Sequence, residues 1–406
     1  MKIKNGLIYF FLISLICMSC KIENNLLVRV IGKHYYKKWF FSHITGNEIT
    51  TIPYELINGW IVIKVKLNEQ KDIEHRFVFD TGAITMIEPE IAKQLNLVLV
   101  KDFTKTDLNG VKHPASLINL QKLTIGTKEF LRVGALSSHT DLFKCYDIKG
   151  IFGYNLMDDA IFHINFKNQT IQISPSNSKI DRNDFYSVKI ETDWRRIMYL
   201  ILETDQRKIK AVLDTGAPNY IFLNNSLKSE FDLGHILKKK LQYINAANSS
   251  ILDTISIYRP HNLKLGSLEI DKDVFVFSDI RTVIGKKFLT GFEEVILNAK
   301  KHRLYLSKKE VVKQGETKLT NLNIGWMDGA VRITGLAIDS SLGKIGIKIG
   351  DEVVSINDIS TSFLRGICDF KIFESSIDIY KKDSELTILR DGQRYNYSLS
   401  KAMMYE

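Results

Sequence analysis

Cysteine is scarce in this chain, with four residues in 406, and two of them, Cys17 and Cys20, belong to an N-terminal leader. That scarcity excludes a dense disulfide framework. Cys145 and Cys368 could pair, but they fall in different expected domains and read as buried small apolar residues. The fold must then be held by its core, and an apolar share of 45% suffices for that. Zn-type Cys/His spacing, a Walker loop and a dinucleotide fingerprint are also missing. No metal and no cofactor are therefore expected. The N-terminal apolar stretch is too short to favour a membrane-spanning helix. Nucleic-acid binding would rest on the net charge of +10 alone and is not expected, because Lys37-Lys38, Lys238-Lys239-Lys240 and Lys300-Lys301 read as solvated faces.

What is present is a duplication. The tetrapeptide Asp-Thr-Gly-Ala occurs at Asp80–Ala83 and again at Asp214–Ala217, each time after an apolar run, Phe77-Val78-Phe79 and Ala211-Val212-Leu213. A lone copy would be a strand-ending turn with Gly at positive φ. The surroundings repeat as well. Trp60–Leu67 and Met198–Leu202 alternate apolar and polar residues, pause, and resume into the motif, so each reads as a β-hairpin with the motif on its second strand. Short helical stretches are expected at Glu88–Leu97 and Leu223–Leu233. Nearly equal intervals then lead to Ile151-Phe152-Gly153 and Val283-Ile284-Gly285, and both halves close on strand-like runs, Ile161–Ile173 and Val295–Leu306.

These residues resemble the retropepsin and pepsin superfamily of aspartic peptidases over about Ile52 to Ser307. The resemblance implies a mainly β chain with two pseudo-symmetric retropepsin-like acid-protease lobes, residues 52–175 and 176–307. It makes Asp80 and Asp214 the catalytic pair. Thr81 and Thr215 would cross-bond the lobes, while Gly82, Gly216, Gly153 and Gly285 would support the catalytic turns. Ala83 and Ala217 stand where pepsins commonly place Ser or Thr, whose hydroxyl favours ionisation of the Asp. An optimum less acidic than that of pepsin follows, and a profile peaking sharply below about pH 3 would contradict it. Flaps are expected at Leu108–Val111, around Gly110, and at Tyr243–Ser250.

The chain outside the lobes has its own signals. Lys2 and Lys4, the apolar Leu7–Leu15 and the ending Ile16-Cys17-Met18-Ser19-Cys20 make residues 1–19 a signal peptide that resembles a bacterial lipobox, with Cys20 lipidated. Residues 20–51 form an N-terminal segment and 308–320 a charged linker. Residues 321–403 resemble a PDZ-like α+β domain through Gly350–Asn357, with Glu374–Tyr380 as the groove helix and the turn Asp391-Gly392 in a hairpin. That resemblance puts a carboxylate-binding loop near Ile324-Gly325-Trp326, so Gly325 and Trp326 are candidate peptide-binding residues.

Two carboxylates a few ångströms apart share one proton and titrate as a unit. The expected function is that of an exported, membrane-anchored aspartic endopeptidase, periplasmic or at the cell surface. It would act on proteins or peptides as a monomer, with the PDZ module recruiting peptide ends or regulating the cleft. The alternative is a non-catalytic peptide-binding envelope lipoprotein. A structural β-rich envelope protein would explain the strands and the anchor but neither motif.

Overall fold

The computed structural model describes residues 34, 40, 42–46, 48–70, 72–205, 207–218, 220–231, 236–246, 248–259, 263–270, 275–309, 319–377, 379–380 and 382–405. The signal peptide, Cys20 and most of the 308–320 stretch lie outside the described residues. The chain is mainly β, as its alternating patterns predict.

In the first half, β1 (Trp60–Leu67) and β2 (His75–Asp80) form the expected antiparallel hairpin. β3 (Met86–Ile87), β4 (Leu99–Thr106), β5 (Lys112–Ile125) and β6 (Lys128–Ser137) follow, and β4 and β5 make a long hairpin turned at Leu108–Gly110. Gly110 takes φ +81° there, a conformation only glycine holds without strain. β7 (Ile148–Gly153) then runs parallel to β2 and sets Gly153 level with Asp80. β8 (Ala160–Asn165) and β9 (Thr170–Pro175) pair with each other.

The second half repeats this order. β10 (Phe185–Thr192) leads to β11 (Met198–Glu203) and β12 (Lys208–Asp214), and β13 (Ile221–Asn224) follows the motif. β14 (Ile236–Asn245) and β15 (Ser250–Tyr258) form the second long hairpin. After β16 (Phe275–Ser278), β17 (Val283–Gly285) runs parallel to β12 and sets Gly285 level with Asp214. β18 (Glu294–Asn298) and β19 (Arg303–Ser307) close the half.

One antiparallel sheet joins the halves. Its order is Thr50–Pro53, β9, β8, β18, β19, β10, with β8 and β18 meeting at the junction. A single apolar core runs through both halves, and its fully buried rings include Phe77, Phe79, Phe152, Phe275 and Phe277. The C-terminal residues bury a separate core around Leu322, Ile333, Val353, Phe370 and Ile388. That part holds β20 (Leu322–Met327), β21 (Ala330–Ala337), β22 (Glu352–Ile356), helix α1 (Ile367–Ser376), β23 (Ser384–Arg390) and β24 (Gln393–Leu399).

Several expectations need correction. Cys145 and Cys368 are disulfide-bonded across a sequence separation of 223. The start of α1 packs beside the loop before β7, and no local pattern encodes that approach. The second helical stretch is a short 3₁₀ turn at Asn225–Glu230, because Ile221-Phe222-Leu223 extend as β13 and Asn224 then caps the turn. The helix placed at Glu374–Tyr380 lies earlier, at Ile367–Ser376, where Phe370 and Phe373 supply its buried face. Gly325 and Trp326 sit inside β20, paired with Arg332 and Val331, and not in a loop. Leu322 and Ile324 alternate inward along that segment, which suits a strand.

Candidate functional site

The two Asp-Thr-Gly turns meet at the junction of the halves. Asp80 ends β2 and Asp214 ends β12, each at the tip of a buried strand. The turns are so close that a Cβ on Gly82 would lie 2.3 Å from the Asp214 carboxyl carbon. One on Gly216 would lie 2.3 Å from Asp80 Oδ2. No side chain larger than hydrogen fits either position. The two carboxyl groups are thereby brought together at the centre of the site, each against the other's turn.

The threonines tie the halves together reciprocally. Thr81 N–H donates to Thr215 Oγ1 (3.0 Å), and Thr215 N–H donates to Thr81 Oγ1 (3.0 Å). The Thr81 hydroxyl donates to the Leu213 carbonyl and the Thr215 hydroxyl to the Phe79 carbonyl, both at 2.8 Å. All four bonds are buried, so none competes with water.

Backbone amides fix the carboxylates. Gly82 N–H (2.8 Å) and Ala83 N–H (3.1 Å) donate to Asp80 Oδ1, and Ala217 N–H (2.9 Å) donates to Asp214 Oδ1. Burial, together with the charge of Asp214, pushes the Asp80 carboxyl well above the ordinary carboxylate range despite those amides. Burial raises Asp214 too, but the amides of Ala217 and Gly216, the Asp80 hydrogen bond and the positive Arg281 oppose it. Two buried carboxyl groups this close share one proton and titrate as a unit.

The later glycines lie under the turns. A Cβ on Gly153 would fall 2.2 Å from Thr85 N, so β7 presses directly against the first turn. Tyr154 N–H donates to the Ala83 carbonyl (2.9 Å), and Lys286 N–H donates to the Ala217 carbonyl (2.8 Å). Asn155 adds a side-chain prop in the first half, where its Oδ1 accepts from both Thr85 N–H and Thr85 Oγ1 at 2.8 Å.

The two long hairpins touch. Asn109 Nδ2, at the tip of the first, donates to the Ile244 carbonyl (3.0 Å) and Ser249 Oγ (2.9 Å) of the second. Asn248 Nδ2 donates to the His139 carbonyl (3.1 Å). Burial would raise Asp107 at the base of the first tip, but hydrogen bonds from Ser249, His113 and Val111 outweigh it and hold its carboxyl below the usual range. Gly110 lies at the tip, whereas Tyr243 lies back in β14 opposite Leu252. Ala247 falls outside the described residues.

The second hairpin is also held from behind. β14 pairs with β21 of the C-terminal part through Lys240↔Ala337, Leu241↔Leu336 and Gln242↔Gly335. Lys240 is buried there, with Nζ on the Thr320 carbonyl (3.0 Å) and Asn323 Oδ1 (2.7 Å), and burial lowers its ammonium to about 7.

Sequence reasoning missed several of these residues. Trp60 Nε1 donates to the Gly216 carbonyl (3.0 Å), a bond between the halves, while its ring meets Phe143 and Tyr146 edge-on. Its place at the head of the motif-bearing hairpin was the available signal. Asp107 and Arg281 carried no motif at all, and Lys240, expected on a solvated face of the run Lys238-Lys239-Lys240, is instead buried.

No family model and no curated protein matches the chain. Among solved structures it is similar to the crystal structure of basic 7S globulin from soybean, at 8% identity over 67% of this chain and 98% of that one, with a TM-score of 0.39. A likeness at that level carries no argument about fold or function.

Proposed function

We propose that this protein is an aspartic endopeptidase. The observation that carries the reading is the mutual approach of Asp80 and Asp214, each packed on the glycine of the other's turn. Under this reading the halves are two retropepsin-like lobes related by pseudo-symmetry, with the long hairpins as flaps. A peptide lies between the flaps and the dyad. Asp214, as carboxylate, takes a proton from a water held between the pair, and the oxygen attacks the scissile carbonyl. Asp80 gives its proton to the carbonyl oxygen, forming a neutral tetrahedral diol. Asp214 then gives its proton to the amide nitrogen while Asp80 takes one from a diol hydroxyl, so the C–N bond breaks, the acid and the amine leave, and the dyad again holds one proton. The amides of residues 82, 83 and 217 keep the carboxyl groups in place throughout.

The C-terminal part is read as a PDZ-like domain that braces the second flap through β21. Gly325 and Trp326, on the strand that pairs with β21, remain the candidates for capture of a peptide end. The disulfide suits an oxidising compartment, in keeping with export and lipid anchoring at Cys20.

The test is cleavage of an unfolded protein between pH 3 and 8, with Asp80→Asn, Asp214→Asn and a statine-type inhibitor as controls. Activity lost in both variants and with the inhibitor is expected, with a maximum in the weakly acidic to neutral range. Turnover that survives either substitution overturns the reading. Peptide binding without turnover in the folded protein would instead identify the binding lipoprotein.

A further inference from the structure

Arg281 occupies an unusual place beside the dyad. It lies in the turn before β17, one residue ahead of Thr282, whose carbonyl accepts the Val212 N–H (3.0 Å). Its backbone is thereby fixed to the strand that ends in Asp214. From there the side chain crosses to the first hairpin, where Nη2 lies 3.5 Å from the Asp107 carbonyl. Its positive charge bears on Asp214 and on the Tyr199 phenol. The guanidinium thus spans the gap between the wall below one catalytic carboxyl and the hairpin that covers it.

The other half shows what such a position ordinarily looks like. Lys149 stands at the same interval before Gly153 and is neutralised by Asp147 (2.8 Å). Arg281 has no carboxylate ion pair among the described residues, and its residue is exposed. A single long contact leaves most of its N–H donors uncommitted. Such a fork is shaped for two-pronged capture of a carboxylate.

We propose that Arg281 is a substrate-recognition residue that selects peptides carrying Asp or Glu beside the scissile bond. The inference rests on the peptidase reading and adds the substrate class. A peptide lying under the first hairpin would pass the guanidinium where it meets the Asp107 carbonyl, which makes acidic side chains flanking the scissile bond the candidates for capture. The acidic side chain would replace the weak Asp107 contact with a charge-assisted pair sheltered by the hairpins.

The experiment uses the full chain and two sets of otherwise identical peptides with Glu, Gln or Lys at each position flanking the cleaved bond. Wild type is expected to favour Glu over Gln by about tenfold in kcat/KM at pH 6 to 7. Arg281→Gln should bring that ratio to about one, and Arg281→Glu should turn the preference towards Lys. A role limited to holding the hairpin would slow all peptides together and leave the ratio intact, which would overturn the proposal. So would a wild-type ratio near one. Binding of the same peptides to Asp80→Asn, read by fluorescence anisotropy, reports the Glu/Gln ratio without turnover. Absence of cleavage alone therefore counts against the peptidase reading, whereas equal binding of Glu and Gln peptides counts against Arg281.

Discussion

The two halves of this protein repeat one backbone plan and fill it with different side chains. In both, a strand ends in Asp-Thr-Gly and a parallel neighbour sets a glycine level with the Asp. Beside Asp80 the props are neutral, with Asn155 holding Thr85. Beside Asp214 lies a cation, Arg281, and after Gly285 come Lys286 and Lys287, the latter over the Tyr220 ring at 4.5 Å. The first half is tied to the C-terminal part by a disulfide, the second by a strand ladder. The repeat supplies the matched carboxyl groups, and divergence around them gives each a different electrostatic setting.

The comparison breaks most visibly at the dyad. Asp80→Asn and Asp214→Asn should each lower kcat by about a thousandfold or more, since neither half can replace the other's proton role. Their stabilities should differ from that of wild type in a defined sense. The folded-state pKa of Asp80 is raised, so its contribution is full below the unfolded value near 4 and is lost as pH rises through the raised value. Asp80→Asn should therefore melt at a higher temperature than wild type at neutral pH, with the gap closing at pH 4 in a thermal scan.

The two attachments can be separated next. Cys368→Ser opens a loop spanning 223 residues, and chain-entropy reasoning puts the cost at up to about 5 kcal/mol. Urea unfolding should show it as a lower midpoint, with dithiothreitol bringing wild type to the same place. An unchanged midpoint would mean that the ladder alone secures the domain. The threonine cross-bonds test the symmetry itself. Thr81→Val and Thr215→Val each remove two buried hydrogen bonds and should cost similar amounts, about 2 to 3 kcal/mol. The double variant should cost less than their sum, because the first substitution already loosens the one contact that both threonines hold.

The smallest effect belongs to the ladder. Lys240 has its ammonium lowered to about 7, below the unfolded value of 10.5. Between those pH values the unfolded chain binds the extra proton, so stability rises with pH across that window and is flat below it. Lys240→Met should remove that slope, a change of a few degrees in melting temperature between pH 7 and 9.

Much of the fold was legible because it is written locally. Alternation marked the hairpins, and Phe77–Gly82 and Ala211–Gly216 carried both the strands and the turns that end them. The candidate dyad was legible for the same reason. What the sequence hid was long-range. Trp60 reaches Gly216, Asn109 reaches Ser249 and Cys145 reaches Cys368 across intervals that leave no periodic trace. The resemblance to PDZ domains put a loop near Ile324-Gly325-Trp326, whereas pairing with β21 makes that segment a strand.

The disulfide also dictates an order of events during synthesis. Cys145 leaves the ribosome with the first half, yet its partner follows only after the whole second half has been made. The early thiol must stay reduced, or be repaired by exchange, until α1 exists. Once closed, the bond turns residues 145–368 into a covalent ring. A backbone cut anywhere inside that ring leaves a nicked but undivided molecule, and its fragments separate only after reduction.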